Sequence, residues 1–387
     1  MRVIKAVSQN YEPSGELLSL LDAFRLMTNS CIRIGLEEGV TSLKSLSLKA
    51  YHRLRGFDVP SYYKLCAISH AVGILRSYRR ASRSDKKPKI PFSSRPMLVT
   101  CYGFKIVGDK LRLPLRPSRC LWIALNHHTV QTLSAPGLSV RSVCVTTRTV
   151  GIAFSKEVVE TKPEGLIGMD RNLDNVTVAS SDGSSQIYDL SKATEIKARY
   201  REVRSHFKRN DVRVRRCIFS KYGKTERCRV TQLIHLVSKD MVRQAKARRF
   251  GIAMEKLTGI RRLYRKGKGQ GRDYRFRMNS WSYGELQKQI DYKARWEGIK
   301  VVYVAARGTS AKCSTCGSKL NPNGRRTLYC PKCSISVDRD LNAAKNILAR
   351  GLRFGPIALP SEAMMEGPPQ GAILRVDGSE LGHEPRT

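Results

Sequence analysis

Two cysteine pairs toward the C-terminal end, Cys313-x2-Cys316 and Cys330-x2-Cys333, are separated by thirteen residues. Each such turn directs two sulfurs at one face of an ion, and two turns complete a tetrahedron of thiolates. This is the spacing of a zinc ribbon, with one Zn2+ held by Cys313, Cys316, Cys330 and Cys333. Four protein ligands leave no open position, so the ion is expected to be structural and not catalytic. Gly317 and Pro331 suit the knuckle turns. The intervening "SKLNPNGRRTL" could form a hairpin whose tip brings Arg325 and Arg326 to phosphate. The other seven cysteines (Cys31, Cys66, Cys101, Cys120, Cys144, Cys217 and Cys228) are scattered and read as buried small hydrophobes or neutral thiols.

A second set is made of acids. Asp170 lies in the first of three strands joined by tight turns, "EGLIGMDRNLDNVTVASSDGSSQIYDL" (164–190). Glu255 ends a buried-type strand, "FGIAMEKL" (250–257), and Asp338 and Asp340 open a helix just past the last cysteine. One acid alone is more often a cap or a surface charge. Together, the order meander, helices, strand–Glu, helix, strand, Asp–helix is that of an RNase H-like domain. In that arrangement the first strand's centre, the fourth strand's end and the last helix converge. Three carboxylates there can hold two Mg2+ about 4 Å apart, one activating water and one stabilising the leaving oxygen of a phosphodiester. Asp338 and Asp340 cannot both face that point, because two residues along a helix is a rotation of about 200°. Asp338 follows an extended "SISV" and suits the N-cap, where its carboxylate accepts a backbone N–H. Asp340 then lies on the face that continues through Ala344 and Ile347, and is the metal ligand.

The elements that must carry these groups follow from periodicity. Residues 1–11 alternate as a strand, and 15–85 show helical spacing in "ELLSLLDAFRLMTNSCIRIGL" and "SYYKLCAISHAVGILRSYRRAS". "RRASRSDKKPKIPF" is a basic, proline-marked linker. Residues 96–160 hold short β-rich runs that read as an antiparallel barrel or sandwich, with the first strand pairing into it. Residues 195–250 are helical and carry 18 Lys/Arg against 5 Asp/Glu, an imbalance that favours a phosphate-facing surface. "RRLYRKGKGQGRDYRFR" (261–277) is aperiodic and Gly-rich, so a mobile loop that could gate the site is expected there. An amphipathic helix over 280–298 is expected to open on Ser280, and "IKVVYVA" (299–305) is a strand. Tyr274, Trp281 and Tyr283 could stack on bases, although aromatic residues on such a helix more often belong to the core.

The whole chain of 387 residues has 71 Lys+Arg against 32 Asp+Glu, a net charge of +39. Such self-repulsion calls for a polyanionic partner, and nucleic acid is the obvious one. The start, "MRVIKAVSQNYEPSG", has no signal-peptide core, and the longest apolar stretch, "LCAISHAVGIL", is too short for a bilayer. The chain is therefore expected in the cytoplasm, with no membrane partner, where structural disulfides are disfavoured.

At the level of motifs, "GMDRNLDNVTVASSDG", "AMEKL" and "TSAKCSTCGSKL…YCPKCSISVDRDLNAAKNIL" resemble the RuvC motifs and zinc ribbon of the TnpB family. These are transposon-encoded nucleases related to the type V CRISPR effectors. The likeness is specific over about 160–350 and compatible only in layout over 1–160. It implies a multidomain α/β protein. A β-barrel wedge domain (1–14 and 92–160) would carry a helical recognition lobe (15–91). A RuvC nuclease domain (161–308 and 337–350) would carry the inserted four-Cys ribbon (309–336). The tail (351–387), with "GPPQG" and balanced charge, is expected from its composition to be disordered. The resemblance also implies an RNA-guided DNA endonuclease working with a guide RNA on double-stranded DNA that bears a short adjacent motif. Carried over residue by residue, the catalytic acids and Mg2+ ligands are Asp170, Glu255 and Asp340. Arg199, Arg204, Lys208, Arg209 and Arg213 of the basic block, with Arg325 and Arg326, would bind nucleic acid. One departure is "DRN" where the family usually has a small or apolar pair after the first acid. Asn172 is expected to take a left-handed turn in place of glycine, and Arg171 could shift activity or contact the scissile phosphate. Two other readings remain open: a guide-independent transposase or resolvase, and a non-enzymatic nucleic-acid-binding regulator.

Overall fold

A computed structural model describes residues 1–83, 88–116, 118–208, 210–260, 264, 269–353 and 371–374. The chain divides into two compact units, Met1–Glu157 and Val158–Thr387.

In the first unit, β1 (Arg2–Asn10) is followed by α1 (Gly15–Glu37), α2 (Leu43–Ala50) and α3 (Ser61–Ser82). Ser14 and Ser42 cap α1 and α2 by accepting from Leu17 N and Ser45 N. Leu17, Leu20, Leu21, Phe24, Met27 and Cys31 recur at three- and four-residue steps, which gives α1 its buried stripe against α3. The strands that follow are β2 (Met97–Thr100), β3 (Lys105–Val107), β4 (Lys110–Arg116) and β5 (Arg119–Ala124). After α4 (His127–Leu133) come β6 (Ser139–Thr146) and β7 (Thr149–Glu157). They form two antiparallel sheets, β1-β7-β6-β2 and β3-β4-β5. The sequence suggested a barrel or a sandwich; among the described residues the strands form these two separate ladders. After β2 the chain turns where the Thr100 hydroxyl donates to Tyr102 O and accepts from Tyr102 N.

The second unit is built on β8 (Gly165–Arg171), every residue of which is buried. It pairs antiparallel with β9 (Asn175–Ser180), which pairs antiparallel with β10 (Ser185–Asp189). A helical block of α5 (Ser191–Ser205), a π-helical turn (Val214–Phe219) and α6 (Ser220–Ala247) leads to β11 (Phe250–Glu255). Then come α7 (Arg272–Ser280), α8 (Tyr283–Trp296) and β12 (Val301–Val304). The ribbon strands β13 (Asn321–Pro322), β14 (Thr327–Cys330) and β15 (Ile335–Asp338) precede α9 (Arg339–Arg353) and β16 (Gly371–Leu374). β11 lies parallel between β8 and β12, so the main sheet runs β12-β11-β8-β9-β10-β16. One face, with Ile167, Met169, Ile252 and Met254, packs on α6 and α8. The other, with Leu166, Ala253 and Val304, packs on Ala344, Ile347 and Leu348 of α9. Gly168 is obligatory there, because an added Cβ would meet Ala344 O and Leu348 N at 2.5 Å.

Several expectations change. Residues 272–280 are helical, not a mobile loop: Arg201 pairs with Asp273 at 2.8 Å and stacks 4.2 Å from the Phe276 ring, which ties α7 to α5. Residues 261–263 and 265–268 of that stretch lie outside the described residues. Ser280 ends α7 and is not a cap; α8 begins after Ser282. In the stretch expected to be disordered, α9 continues to Arg353 and β16 pairs parallel with β10. The rest of the tail lies outside the described residues. Among the described residues no helix is long and apolar enough to cross a membrane.

Candidate metal centres and their surroundings

Strand alternation decides where the acids point. Asp170 shares its parity with Leu166 and Gly168, and Glu255 shares its own with Ala253, so both lie on the α9 face of the sheet. Met254 pairs with Met169, which sets the two acids at neighbouring positions on adjacent parallel strands. The third acid arrives from the helix covering that face. Asp338 Oδ1 accepts from Asp340 N at 3.0 Å and Leu341 N at 2.8 Å, the N-cap role read from the sequence. Asp338 is exposed, while Asp340 is buried with only 4% of its surface accessible.

Asp170, Glu255 and Asp340 are 9%, 8% and 4% exposed, an unusual concentration of buried carboxylates. Burial, then the neighbouring charge of Glu255, and to a smaller extent that of Asp340, pushes Asp170 up to about 7, against the lowering effect of Asn172. Hard oxygen donors crowded in this way fit a divalent cation such as Mg2+, which would relieve their repulsion. The three acids are not drawn into one tight knot. Among the described residues only the four cysteines bring three or more ligand atoms all within 4.8 Å of one another.

Each acid has a polar partner. Asn172 donates from Nδ2 to Asp170 Oδ2 at 3.0 Å and to Asn175 Oδ1 at 3.1 Å. Asn172 is not left-handed, as the sequence had suggested; among the described non-glycine residues only Arg249 and Ser334 have positive φ. Its role is to hold Asp170, for which the i+2 spacing along an extended chain is the signal. Thr309 Oγ1 donates to Glu255 Oε1 at 2.5 Å. Arg326 Nη1 and Arg339 Nε lie 3.6 and 3.5 Å from the Asp340 carboxylate.

Arg171, placed by the sequence reading beside the metal site and the scissile phosphate, points the other way. It shares the parity of Met169 and donates to Glu255 O, to Gln287 Oε1 at 3.0 Å and to Tyr283 O at 3.4 Å. It is 2% exposed, and burial lowers its pKa against the raising effect of Glu255.

The cysteine quartet is assembled. Cys313, Cys316, Cys330 and Cys333 carry free thiols whose sulfurs lie within 4.8 Å of one another, a donor set that fits Zn2+. Gly317 turns the first knuckle at φ 74°, with its N–H on Cys313 O at 2.9 Å. Ser334, at φ 55°, occupies the equivalent position of the second. β13 and β14 make the expected hairpin, with Arg325 and Arg326 exposed at its tip.

Of the basic residues, Arg199, Lys208 and Arg213 are exposed. Arg204 differs: its guanidinium meets Glu226 at 2.6 Å with both side chains mostly covered. Arg209 lies outside the described residues. Arg199 lines a groove of about 490 Å3 between α5 and α6, together with Lys192 and Arg229. Tyr274 is half exposed on α7, whereas the Trp281 and Tyr283 rings pack on each other at 4.7 Å.

Residues 283–347 match the family described as "Cas12f1-like, TNB domain". A TnpB-like protein of Methanocaldococcus jannaschii is 29% identical over 276 residues, 68% of this chain and 98% of that protein. The CRISPR-associated endodeoxyribonuclease Cas12f1 of Sulfoacidibacillus thermotolerans is 39% identical over 98 residues, 25% of this chain and 21% of that one. Among solved structures, Cas12f1 in its complex with sgRNA and target DNA superposes with a TM-score of 0.59 at 15% identity, covering 86% of this chain and 83% of that one. These likenesses bear out the resemblance to TnpB that the motifs carried.

Proposed function

We propose that this TnpB-like chain is an RNA-guided DNA endonuclease with an RNase H-like, RuvC-type centre formed by Asp170, Glu255 and Asp340. The observation that carries the reading is the convergence of three buried acids, from two adjacent parallel strands and one helix, on the α9 face of the sheet. The strand order of that sheet, with the fourth strand inserted beside the first, supports the same reading.

The acids would hold two Mg2+, which supply an activated water and stabilise the leaving oxygen of the phosphodiester. Everything else falls to the chain's own residues. Asn172 keeps one Asp170 oxygen directed, and Thr309 does the same for Glu255. Arg171 ties the Glu255 backbone carbonyl from behind the sheet without entering the site. The four cysteines would hold one structural Zn2+, presenting Arg325 and Arg326 to phosphate. Arg199, Lys208 and Arg213 would bind nucleic acid by its backbone, in keeping with the net charge of +39. Guide RNA pairing would read the target sequence, and the first unit would read the adjacent short motif.

The test is to purify the full chain, sequence the RNA that accompanies it, and offer DNA matching that RNA with Mg2+. RNA of defined length and cleavage abolished by Asp170→Ala and by Glu255→Ala are expected. RNA-free protein that cuts DNA, or cleavage surviving both substitutions, would overturn the proposal.

A further inference from the structure

α9 has two working faces, and the one opposite the sheet is polar. Asn342 and Asn346 are one helical turn apart, so they lie on the same side. Asn342, 1% exposed, donates from Nδ2 to Lys312 O at 2.8 Å and accepts from Ser314 N at 2.8 Å. It therefore brackets Cys313, the first zinc ligand, by the backbone on either side. Asn346 Nδ2 reaches Lys312 O at 2.7 Å and Thr309 O at 2.8 Å. At the far end of the same segment the Thr309 hydroxyl, in a side chain almost wholly buried, donates to Glu255 Oε1 and to Ala306 O. Segment 309–314 thus runs from a catalytic-site acid to a zinc thiolate. It is clamped along its length to the helix whose first turn presents Asp340.

A buried amide with both ends satisfied, as in Asn342, is costly to leave unpaired, so such a clamp holds one geometry. Nothing in nucleic-acid binding requires it, because Asn342 and Thr309 are buried.

We propose that Asn342, Asn346 and Thr309 are positioning residues through which the closed zinc knuckle sets the spacing of Glu255 and Asp340. The inference rests on the reading of those acids as a divalent-cation site. Zinc would then be structural for the ribbon and, through three hydrogen-bonding side chains, a determinant of cation affinity at Asp170, Glu255 and Asp340. Outer partners of metal ligands typically change affinity or activity by about 10- to 100-fold when removed.

The experiment uses the full zinc-loaded chain and titrates Mn2+, followed by its electron paramagnetic resonance signal. Wild-type chain is compared with Asp170→Asn, with Asn342→Ala/Asn346→Ala and with Thr309→Val, using Thr309→Ser as the conservative restoration. Expected are loss of Mn2+ binding in Asp170→Asn and about 10- to 100-fold weaker binding in the double variant and in Thr309→Val. Thr309→Ser should bind as wild type, and zinc should stay at one per chain throughout. In cleavage assays the half-saturating Mg2+ should rise by a similar factor while kcat recovers at high Mg2+. If the double variant fails to fold, Asn346→Ala alone decides the matter, because it releases Thr309 O and Lys312 O while leaving the buried Asn342 on either side of Cys313. Mn2+ binding that disappears in Asp170→Asn but is unaltered in the double variant, or in Asn346→Ala where the double variant does not fold, overturns this inference alone. Binding that survives Asp170→Asn overturns the cation-site reading and the inference with it.

Discussion

Asp170→Asn should stabilise the cation-free protein, and by an amount that depends on pH. Burial and the charges of Glu255 and Asp340 push Asp170 from 3.8 up to about 7. At about 1.4 kcal/mol per pKa unit, ionised Asp170 disfavours the folded state by roughly 4 kcal/mol above pH 7. The folded pKa is the higher one, so the native state holds the proton more tightly than the unfolded chain does. This contribution therefore lowers stability as pH rises from about 4 to about 7, the reverse of an ion-paired carboxylate. Asparagine keeps the shape and removes the titration. In Mg2+-free buffer at pH 8, Asp170→Asn should exceed wild type by about 2–4 kcal/mol, the lower end allowing for a weaker hydrogen bond from Asn172. The excess should close toward pH 4. Adding Mg2+ at a hundredfold its Kd should then raise wild type by about 2.7 kcal/mol and leave the variant unmoved. Urea unfolding in a Trp122→Phe background, where fluorescence reports Trp281 and Trp296 of the second unit, measures both terms. A variant no more stable than wild type at pH 8, or an excess that persists unchanged at pH 4, would refute the reasoning.

Three further outcomes are expected. Arg171→Met should destabilise the second unit by about 2–3 kcal/mol in urea unfolding at pH 7, since it strips a buried guanidinium from Glu255 O, Gln287 and Tyr283; Arg171→Lys should recover only part, because one ammonium cannot span the three acceptors. Replacing Arg199, Lys208 and Arg213 together by serine should flatten the salt dependence of RNA binding by up to about 0.7 per lost phosphate contact, read as the slope of log K against log salt; Arg204→Ser should change that slope little, given its pairing with Glu226. Cys330→Ala should abolish the stoichiometric zinc seen by atomic absorption and lower the thermal transition of the second unit, because Cys330 is fully buried among the other three thiols.

How far the sequence could be read follows from the range over which each signal acts. The cysteine spacing and the cap at Asp338 are local patterns, and the structure reproduces both. The orientation of Asp340 needed only helix geometry. Arg171 is equally legible: the residue after a strand's inward-facing acid must point to the opposite side. Thr309 is different. No spacing rule relates it to Glu255, because their contact depends on how the stretch after β12 returns over the sheet. Asn342 and Asn346 gave a partial signal, two amides at helical spacing beside an apolar stripe, but the backbone they hold is thirty residues upstream. The basic loop at 261–277 misled through composition: Phe276 and Asp273 sit among arginines, and their tertiary contacts with Arg201 fix part of it as α7.

The position of the ribbon in the chain acquires a physical sense from this arrangement. A four-cysteine knuckle is a small rigid body that needs a core to stand on, and its own buried cluster is little more than Cys313, Leu320 and Cys330. α9 provides the footing: Asn342 and Asn346 hold the first knuckle, and Asp338 ends the ribbon's last strand while capping the helix. The same helix needs its first turn fixed if Asp340 is to meet Asp170 and Glu255, and a free helix N-terminus frays. Inserting the ribbon immediately before α9 therefore meets two demands with one set of hydrogen bonds. A longer linker between Cys333 and Asp338 would loosen the cap and the third acid together, so Asp340 is located as much by the cysteines ahead of it as by the sheet beneath it.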